Sequence, residues 1–186
     1  FALRQRIPVW MSHGTYTAMG APDFDGLLRT AHDSCAIDLG TFQALLFTVP
    51  HDARETLQLT CFDGASRLGV LTDLGHATAH VLQQLAGCNT LLLESNHDPE
   101  MLRASAYPAF LQKRVSGPYG HLTNAAAAAI AQQVQHAGLR QVVAAHLSQQ
   151  NNRPALAQAA LADALGWEAA QIGVADPLIG TDWLTV

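Results

Sequence analysis

Four short apolar segments of this sequence are each followed within two residues by a side chain that can bind a metal or move a proton. The four pairs are residues 44–49 with His51, residues 68–72 with Asp73, residues 90–93 with Glu94, and residues 141–145 with His146. Apolar runs of this length, alternating with helical patterns, predict an α/β fold. Because ligands bind at the carboxyl ends of strands in such sheets, we expect the four side chains to meet at one edge.

The segments between these strands carry helix and turn signals. Asp63-Gly64, between the apolar runs 56–62 and 67–72, predicts a β-hairpin. Ser12 is a candidate N-cap for a helix over 12–19. Further expected elements are helices over 78–85, 108–114, 123–137 and 154–165, a strand over 6–10, and strand-and-turn structure over 172–186. We take residues 1–186 as a single domain.

Composition excludes several classes of protein. The 186-residue chain has a net charge of −5 and 13% charged residues, which argues against coating nucleic acid through bulk positive charge. No apolar stretch approaches the ~20 residues of a membrane helix, so we expect a soluble, cytoplasmic protein without membrane contact. The three cysteines form no CxxC pair, which indicates a reducing compartment. The tryptophans, Trp10, Trp167 and Trp183, are too dispersed to stack bases, and we expect them in the core.

The side chains at the strand ends are chemically matched to a metal. Neutral imidazoles with a carboxylate form the ligand set of a zinc or manganese centre. A single His after a strand is more often a capping or hydrogen-bonded loop residue than a ligand, and an Asp before a Gly is as often a turn residue. Repetition at successive strand ends favours the metal. His76 and His80, four residues apart on an expected helix, are a weaker candidate pair.

The motifs at these strand ends, in their order along the chain, resemble the metallo-β-lactamase superfamily. Within it they are most similar to the YycJ/WalJ-type metallohydrolases and more distantly similar to ribonuclease Z. The motifs are Val49-Pro50-His51-Asp52-Ala53, Thr72-Asp73-Leu74-Gly75, Glu94-Ser95-Asn96-His97-Asp98, Gly120-His121-Leu122-Thr123-Asn124, and Ala145-His146-Leu147-Ser148 with Asn151-Asn152.

The resemblance implies an αββα sandwich with two divalent metal ions, zinc, manganese or iron, at one sheet edge. It implies that His51 binds the first metal, that Asp73 bridges both and that His146 binds the second. His121 then corresponds to a histidine that acts on the scissile phosphate, and Glu94 orients it. The resemblance also implies that a metal-activated hydroxide is the nucleophile. The residues expected around this site, holding its loops or contacting substrate, are Asn96, His97, Asp98, Ser148 and Asn151.

One family motif is absent from the sequence. The metallo-β-lactamase superfamily has an HxHxDH motif that supplies further ligands, and this chain does not contain it. The resemblance therefore implies an incomplete ligand set, with the N-terminal part of the fold lying upstream of Phe1. We expect the 186 residues alone to be inactive.

The function implied by the resemblance is a metal-dependent phosphodiesterase or nuclease that acts on DNA or RNA ends. Lys113 and Arg114, together with Arg103, are candidate contacts to the phosphate backbone. One alternative is a hydrolase of a small ester, thioester or lactam on the same fold. Another is a non-catalytic regulatory module. The sequence leaves the oligomeric state open.

Overall fold

The computed structural model describes residues 1–186 and contains one large mixed sheet and one small parallel pair of strands. The strands are β1 (Val9–Ser12), β2 (Leu28–Ala31), β3 (Ala36–Asp38), β4 (Gln43–Thr48), β5 (Leu57–Phe62), β6 (Arg67–Leu71), β7 (Thr90–Glu94), β8 (Gln141–Ala145) and β9 (Ile172–Val174). Strands β1 and β2 form the pair. The large sheet has seven strands in the order β3-β4-β5-β6-β7-β8-β9.

Seven α-helices connect the strands or follow them. They are α1 (Ala2–Gln5), α2 (His13–Ala18), α3 (Ala79–Leu85), α4 (Pro99–Ala104), α5 (Ala109–Val115), α6 (Asn124–Val134) and α7 (Pro154–Leu165), with one 3₁₀ turn at Ala169–Gln171. None of these helices is both long enough and apolar enough to cross a lipid bilayer.

The direction of the strands brings four strand ends to one edge of the large sheet. Strand β4 pairs antiparallel with β5, and β5 pairs antiparallel with β6, so β4 and β6 run the same way. Strands β7 and β8 pair parallel onto β6 in succession. The carboxyl ends of β4, β6, β7 and β8 therefore lie at the same edge. This confirms the α/β arrangement expected from the sequence.

The large sheet is apolar on both faces at β4. Phe47 and Val49 belong to the main core beneath the helices, whereas Ala44 and Leu46 belong to a smaller cluster on the opposite face. This alternation follows from the two-residue period of a strand. Helices α3, α6 and α7 supply most of the side chains that cover the main core.

Several expected elements are confirmed, and their boundaries differ from the sequence-based ones. The hairpin forms between β5 and β6. Ser12 caps α2 by accepting a hydrogen bond from the Thr15 N–H. The expected strand over 6–10 lies later, at Val9–Ser12, and the helix expected over 123–137 ends at Val134. The sequence-based assignment missed α1, α4, β2 and β3, which are all short and lack a clear period.

Two further expectations are wrong. Trp183 is fully exposed and Trp10 is 37% exposed, so neither is a core residue. Trp183 follows the last strand, and Trp10 lies on the small β1–β2 pair and not on the large sheet. His76 and His80 do not share a helix face, since α3 begins only at Ala79. His76 Nδ1 lies 2.7 Å from the Pro118 carbonyl oxygen, and His80 Nε2 lies 2.9 Å from Asp33 Oδ1.

Two leucines, one buried and one exposed, test the packing of the core. Leu93 is 0% exposed in β7, whereas Leu156 in α7 is 41% exposed. We expect Leu93→Ala to lower the free energy of unfolding by about 2–5 kcal/mol, since it leaves a cavity. We expect Leu156→Ala to change it by less than about 1 kcal/mol. Urea denaturation followed by circular dichroism measures both; equal effects would contradict the packing described.

Asp33 ties the turn between β2 and β3 to two other elements. Its Oδ1 accepts hydrogen bonds from the Thr48 N–H of β4 and lies 2.9 Å from His80 Nε2 of α3. Partial burial by itself raises the pKa of this carboxyl group, but the hydrogen bonds from Thr48, His80 and Ser34 outweigh it and lower the pKa to about 2, from an ordinary 3.8. The ionised form of Asp33 therefore stabilises the fold.

The acid dependence of stability follows from this sign. The contribution of Asp33 is complete above pH 3.8 and is lost as the pH falls toward 2. We expect the free energy of unfolding of Asp33→Asn to fall less steeply over that interval than that of the unmodified protein. Asp182→Asn, near the exposed end of the chain, is the control. If the free energy of unfolding falls equally steeply with pH in Asp33→Asn and in the unmodified protein, ionised Asp33 does not stabilise the fold.

Candidate metal centre

Two residues at the strand ends adopt the left-handed backbone conformation. Asp73, after β6, has φ 53°, and His146, after β8, has φ 55°. Residues other than glycine enter this region at an energetic disadvantage and persist there only where surrounding contacts hold them. Both side chains belong to the cluster at the sheet edge, so the unfavourable backbone coincides with the chemically distinctive residues.

The carboxylate of Glu94 lies at the base of the cluster and is 0% exposed. Oε1 lies 2.9 Å from His121 Nδ1 and 2.7 Å from His146 Nδ1. Oε2 accepts hydrogen bonds from the backbone N–H groups of Leu74, at 3.3 Å, and Leu122, at 3.0 Å. Burial alone raises the pKa of Glu94, but the hydrogen bonds from His121, His146 and Leu122 lower it to about 2. The carboxylate is therefore ionised.

Each of three histidines has its Nδ1 atom committed to a hydrogen bond. An ionised carboxylate and a carbonyl oxygen only accept, so Nδ1 carries the hydrogen in His121 and His146, which face Glu94, and in His51, whose Nδ1 lies 3.1 Å from the Gly120 carbonyl oxygen. Nε2 is the nitrogen left in each ring to bind a metal or exchange a proton. The hydrogen bond to Glu94 also raises the pKa of His146.

Asp73 lies among these three imidazoles. Its Oδ1 is 3.8 Å from His51 Nε2, 4.0 Å from His121 Nδ1 and 3.8 Å from His146 Nδ1. The ring centroids of His51 and His121 are 5.1 Å apart, and those of His121 and His146 are 5.2 Å apart. One ligand atom from each of Asp73, Glu94, His121 and His146 lies within 4.8 Å of the other three. The structure thus brings together the five residues to which the sequence assigned metal binding or catalysis.

A cavity of about 200 Å³ opens beside His51 and His121. Its rim holds an ion pair between Asp52 and Arg114 of α5. The hydrogen bond from Arg114 lowers the pKa of the Asp52 carboxyl group. The sequence-based assignment gave Asp52 no role, although it directly follows His51 in the motif.

Two glycines allow the loops around the cluster to approach closely. A Cβ atom on Gly75 would lie 2.2 Å from the Pro118 carbonyl oxygen, and one on Gly120 would lie 2.2 Å from the carbonyl oxygens of Arg114 and Val115. Real Cβ contacts are never this short, so only glycine fits at either position. The loop after β6 therefore packs against the segment that follows α5, and that segment packs back against the end of α5 at Gly120.

Of the expected residues around the site, Asn96 and Asp98 hold loops through hydrogen bonds, whereas His97 lies elsewhere. Asn96 Nδ2 donates to the His146 carbonyl oxygen at 2.9 Å, and the Asn96 carbonyl oxygen accepts from the Ser148 N–H. Asp98 caps α4, and its N–H donates to the carbonyl oxygen of buried Asn151. His97 is different: it is 1% exposed and lines another cavity.

Comparison with solved structures identifies the fold. YhfI from Bacillus subtilis, a metallo-β-lactamase fold protein, superposes with a TM-score of 0.67 at 12% identity, over 91% of this chain and 62% of its own. This chain has a metallo-β-lactamase fold. Zinc-bound PqqB from Methylobacterium extorquens matches with a TM-score of 0.64 at 16% identity, over 97% of this chain and 68% of its own.

Sequence comparison relates this metallo-β-lactamase fold to two named nucleases. The exodeoxyribonuclease YycJ of Bacillus anthracis is 28% identical over 186 residues, which cover 97% of this chain and 70% of that protein. The exodeoxyribonuclease WalJ of Streptococcus pneumoniae is 27% identical over 128 residues, 69% of this chain and 48% of that protein. The matched region therefore spans about half of WalJ. No family model matches the sequence.

The donor set fits a divalent metal ion. The imidazoles of His51 and His146, each with an Nε2 atom that forms no hydrogen bond, and the carboxylate of Asp73, which accepts none, are donor types that zinc, manganese and iron share. Glu94 already accepts four hydrogen bonds, so its geometry suits the orientation of His121 and His146 more than direct ligation. The sequence-based expectation linked Glu94 to His121 alone, and the hydrogen bond to His146 became visible only in the structure.

Replacing Glu94 tests this orientation. Glu94→Gln keeps the shape but removes the charge and one acceptor, so we expect the affinity for Zn²⁺ or Mn²⁺ to fall about 10–100-fold. Chelator competition on the full-length protein measures it. Glu100→Gln is the control, because Glu100 has an 82% exposed side chain in α4. Equal metal affinity in Glu94→Gln and the control would show that Glu94 does not support the ligands.

Proposed function

We propose that this protein is a metal-dependent phosphodiesterase that acts on nucleic-acid ends, most specifically on DNA. The observation that carries the proposal is the pairing of His121 with buried Glu94 beside His51, Asp73 and His146, which combines a candidate proton-transfer pair with candidate metal ligands. The names of the two relatives, both exodeoxyribonucleases, support nucleic acid as the substrate class.

His51, Asp73 and His146 would hold the metal. When bound, a divalent cation activates water and stabilises negative charge that develops on the phosphate. Asp73 Oδ1 lies 3.8 Å from His51 Nε2 and 3.8 Å from Nδ1 of the His146 ring, so the three residues are neighbours and would act together as ligands. The chain's negative net charge does not oppose a polyanionic substrate, because metal ions are the largest local charges in such sites.

His121 would transfer the proton. Glu94 holds Nδ1–H, which fixes the tautomer and leaves Nε2 to deliver a proton to the departing oxygen of the scissile phosphate. The carboxylate holds the ring in one orientation while the proton moves, as an acidic partner does in other catalytic histidine pairs. His121 forms no hydrogen bond that would withhold its Nε2 atom.

The function is tested by substitutions with charge-matched controls. We expect Asp73→Asn to lose metal and cleavage together, and His121→Ala to keep its metal while kcat falls about 10²–10⁴-fold. The control is Asp63→Asn, in the hairpin turn at the opposite end of β6. The assay uses full-length protein with Mn²⁺ or Zn²⁺ on end-labelled single- and double-stranded DNA and RNA.

Two outcomes would contradict the proposal. Cleavage that survives both substitutions would remove the cluster from the reaction. If the protein hydrolyses small esters or thioesters but does not cleave nucleic acid, its substrate is a small molecule, since the same fold serves different chemistries.

A further inference from the structure

A second cavity, of about 420 Å³, lies against the other face of helix α5 from the candidate metal centre. Leu111, Arg114 and Val115 of this helix line the cavity at the metal centre. Ala109, Gln112, Lys113 and Ser116, spaced three and four residues apart on one helix face, line the second cavity. A single helix thus separates the two cavities. The polar residues that line the second one are His97, Arg103, Gln112, Lys113, Ser116 and Thr123.

The charged side chains that line this cavity, Arg103 and Lys113, are both basic. Lys113 is exposed and forms no ion pair, so its ammonium group is available. Arg103, in helix α4, is also exposed and forms an ion pair at 3.3 Å with Glu100 of that helix. Thr123 is the N-cap of α6, an 11-residue helix, and the partial positive charge of a helix N-terminus adds to that of the lysine.

A buried, unpartnered polar side chain lies at the same cavity. His97 is 1% exposed, and neither of its ring nitrogens has a hydrogen-bond partner in the protein. Buried polar groups in native proteins almost always have a partner, so an unpaired ring at a polar cavity indicates a ligand or ordered water. Lys113 and the N-terminus of α6 disfavour a cation there and favour an anion.

We propose that this second cavity binds a further phosphate group of the nucleic-acid strand whose scissile phosphate lies at the candidate metal centre, an inference that rests on the proposed function. Both cavities border α5. They also share the segment before α6, since His121 lines the first and Thr123 lines the second. A strand crossing α5 would place one phosphate at the metals and another beside Lys113.

The proposal is tested by binding without catalysis. Fluorescence anisotropy with a labelled oligonucleotide, full-length protein and EDTA compares Lys113→Met with Arg140→Met. Arg140 is exposed at the start of β8, at the sheet edge away from the metal centre. We expect Lys113→Met to weaken binding about fivefold and to reduce the slope of log affinity against log salt by about 1. Arg140→Met leaves both unchanged.

Oligonucleotides with a 5′-phosphate, a 3′-phosphate or hydroxyl ends identify the source of the phosphate. If Lys113→Met loses affinity only for one of the phosphorylated oligonucleotides, the cavity binds a terminal phosphomonoester. If it loses affinity equally for all three oligonucleotides, the cavity binds an internal phosphodiester. Both results support the proposal. Oligonucleotide binding that Lys113→Met does not weaken overturns the cavity proposal alone. Absence of oligonucleotide binding by the unmodified protein in EDTA likewise overturns the cavity proposal, whereas the proposed function is decided separately by the cleavage assay with Mn²⁺ or Zn²⁺.

A second measurement reports on His97 without altering it. Inorganic phosphate titrated into protein with ¹⁵N-labelled histidines should shift the His97 ring resonances, with a weaker apparent affinity in Lys113→Met. The His136 ring, hydrogen-bonded to the Cys88 carbonyl oxygen, is the internal reference and should not shift. Unchanged His97 resonances at saturating phosphate would overturn the assignment of phosphate to this cavity.

Discussion

The buried carboxylate of Glu94 connects the parts of the candidate centre. It ends β7 and accepts hydrogen bonds from the loop after β6, the segment before α6 and the residue after β8. A buried carboxylate is stable only when its oxygens are hydrogen-bonded, and here the four donors come from three separate segments of the chain. The arrangement that stabilises Glu94 is therefore the arrangement that aligns His121 and His146.

The sheet supplies the rigid support beneath these loops. Strands β4, β6, β7 and β8 end at one edge, and each delivers a polar residue there after an apolar run. The left-handed backbone at Asp73 and His146 is unfavourable by itself. Contacts at both positions offset it, since the N–H of Leu74 donates to Glu94 and the carbonyl oxygen of His146 accepts from Asn96.

Helix α5 organises the surface on which a substrate would lie. Its seven residues present Arg114 to the cavity at the metal centre and Lys113 to the second cavity. Gly120 permits the direct packing of the helix end against the segment before α6, because any side chain there would meet backbone. The proposed path of a strand across α5 is consistent with an acidic protein, since positive charge is needed only locally.

The sequence by itself determined the strand-end chemistry. Apolar runs and the residues after them are local features, so His51, Asp73, Glu94 and His146 could be assigned to one sheet edge before any contact was known. Their resemblance to a known superfamily also suggested His121, which no strand pattern indicates. The hairpin between β5 and β6 was likewise predictable from Asp63-Gly64, because turn preferences are local, and the structure confirms it.

Only the tertiary structure decided how the loops meet. The second hydrogen bond of Glu94, to His146, joins residues 52 positions apart. His97 lies in the same motif as Asn96, yet it is buried at another cavity. Trp183 is exposed despite its apolar character, since no element covers it. These outcomes depend on which surfaces pack together, and packing between distant segments leaves no period or motif in the sequence.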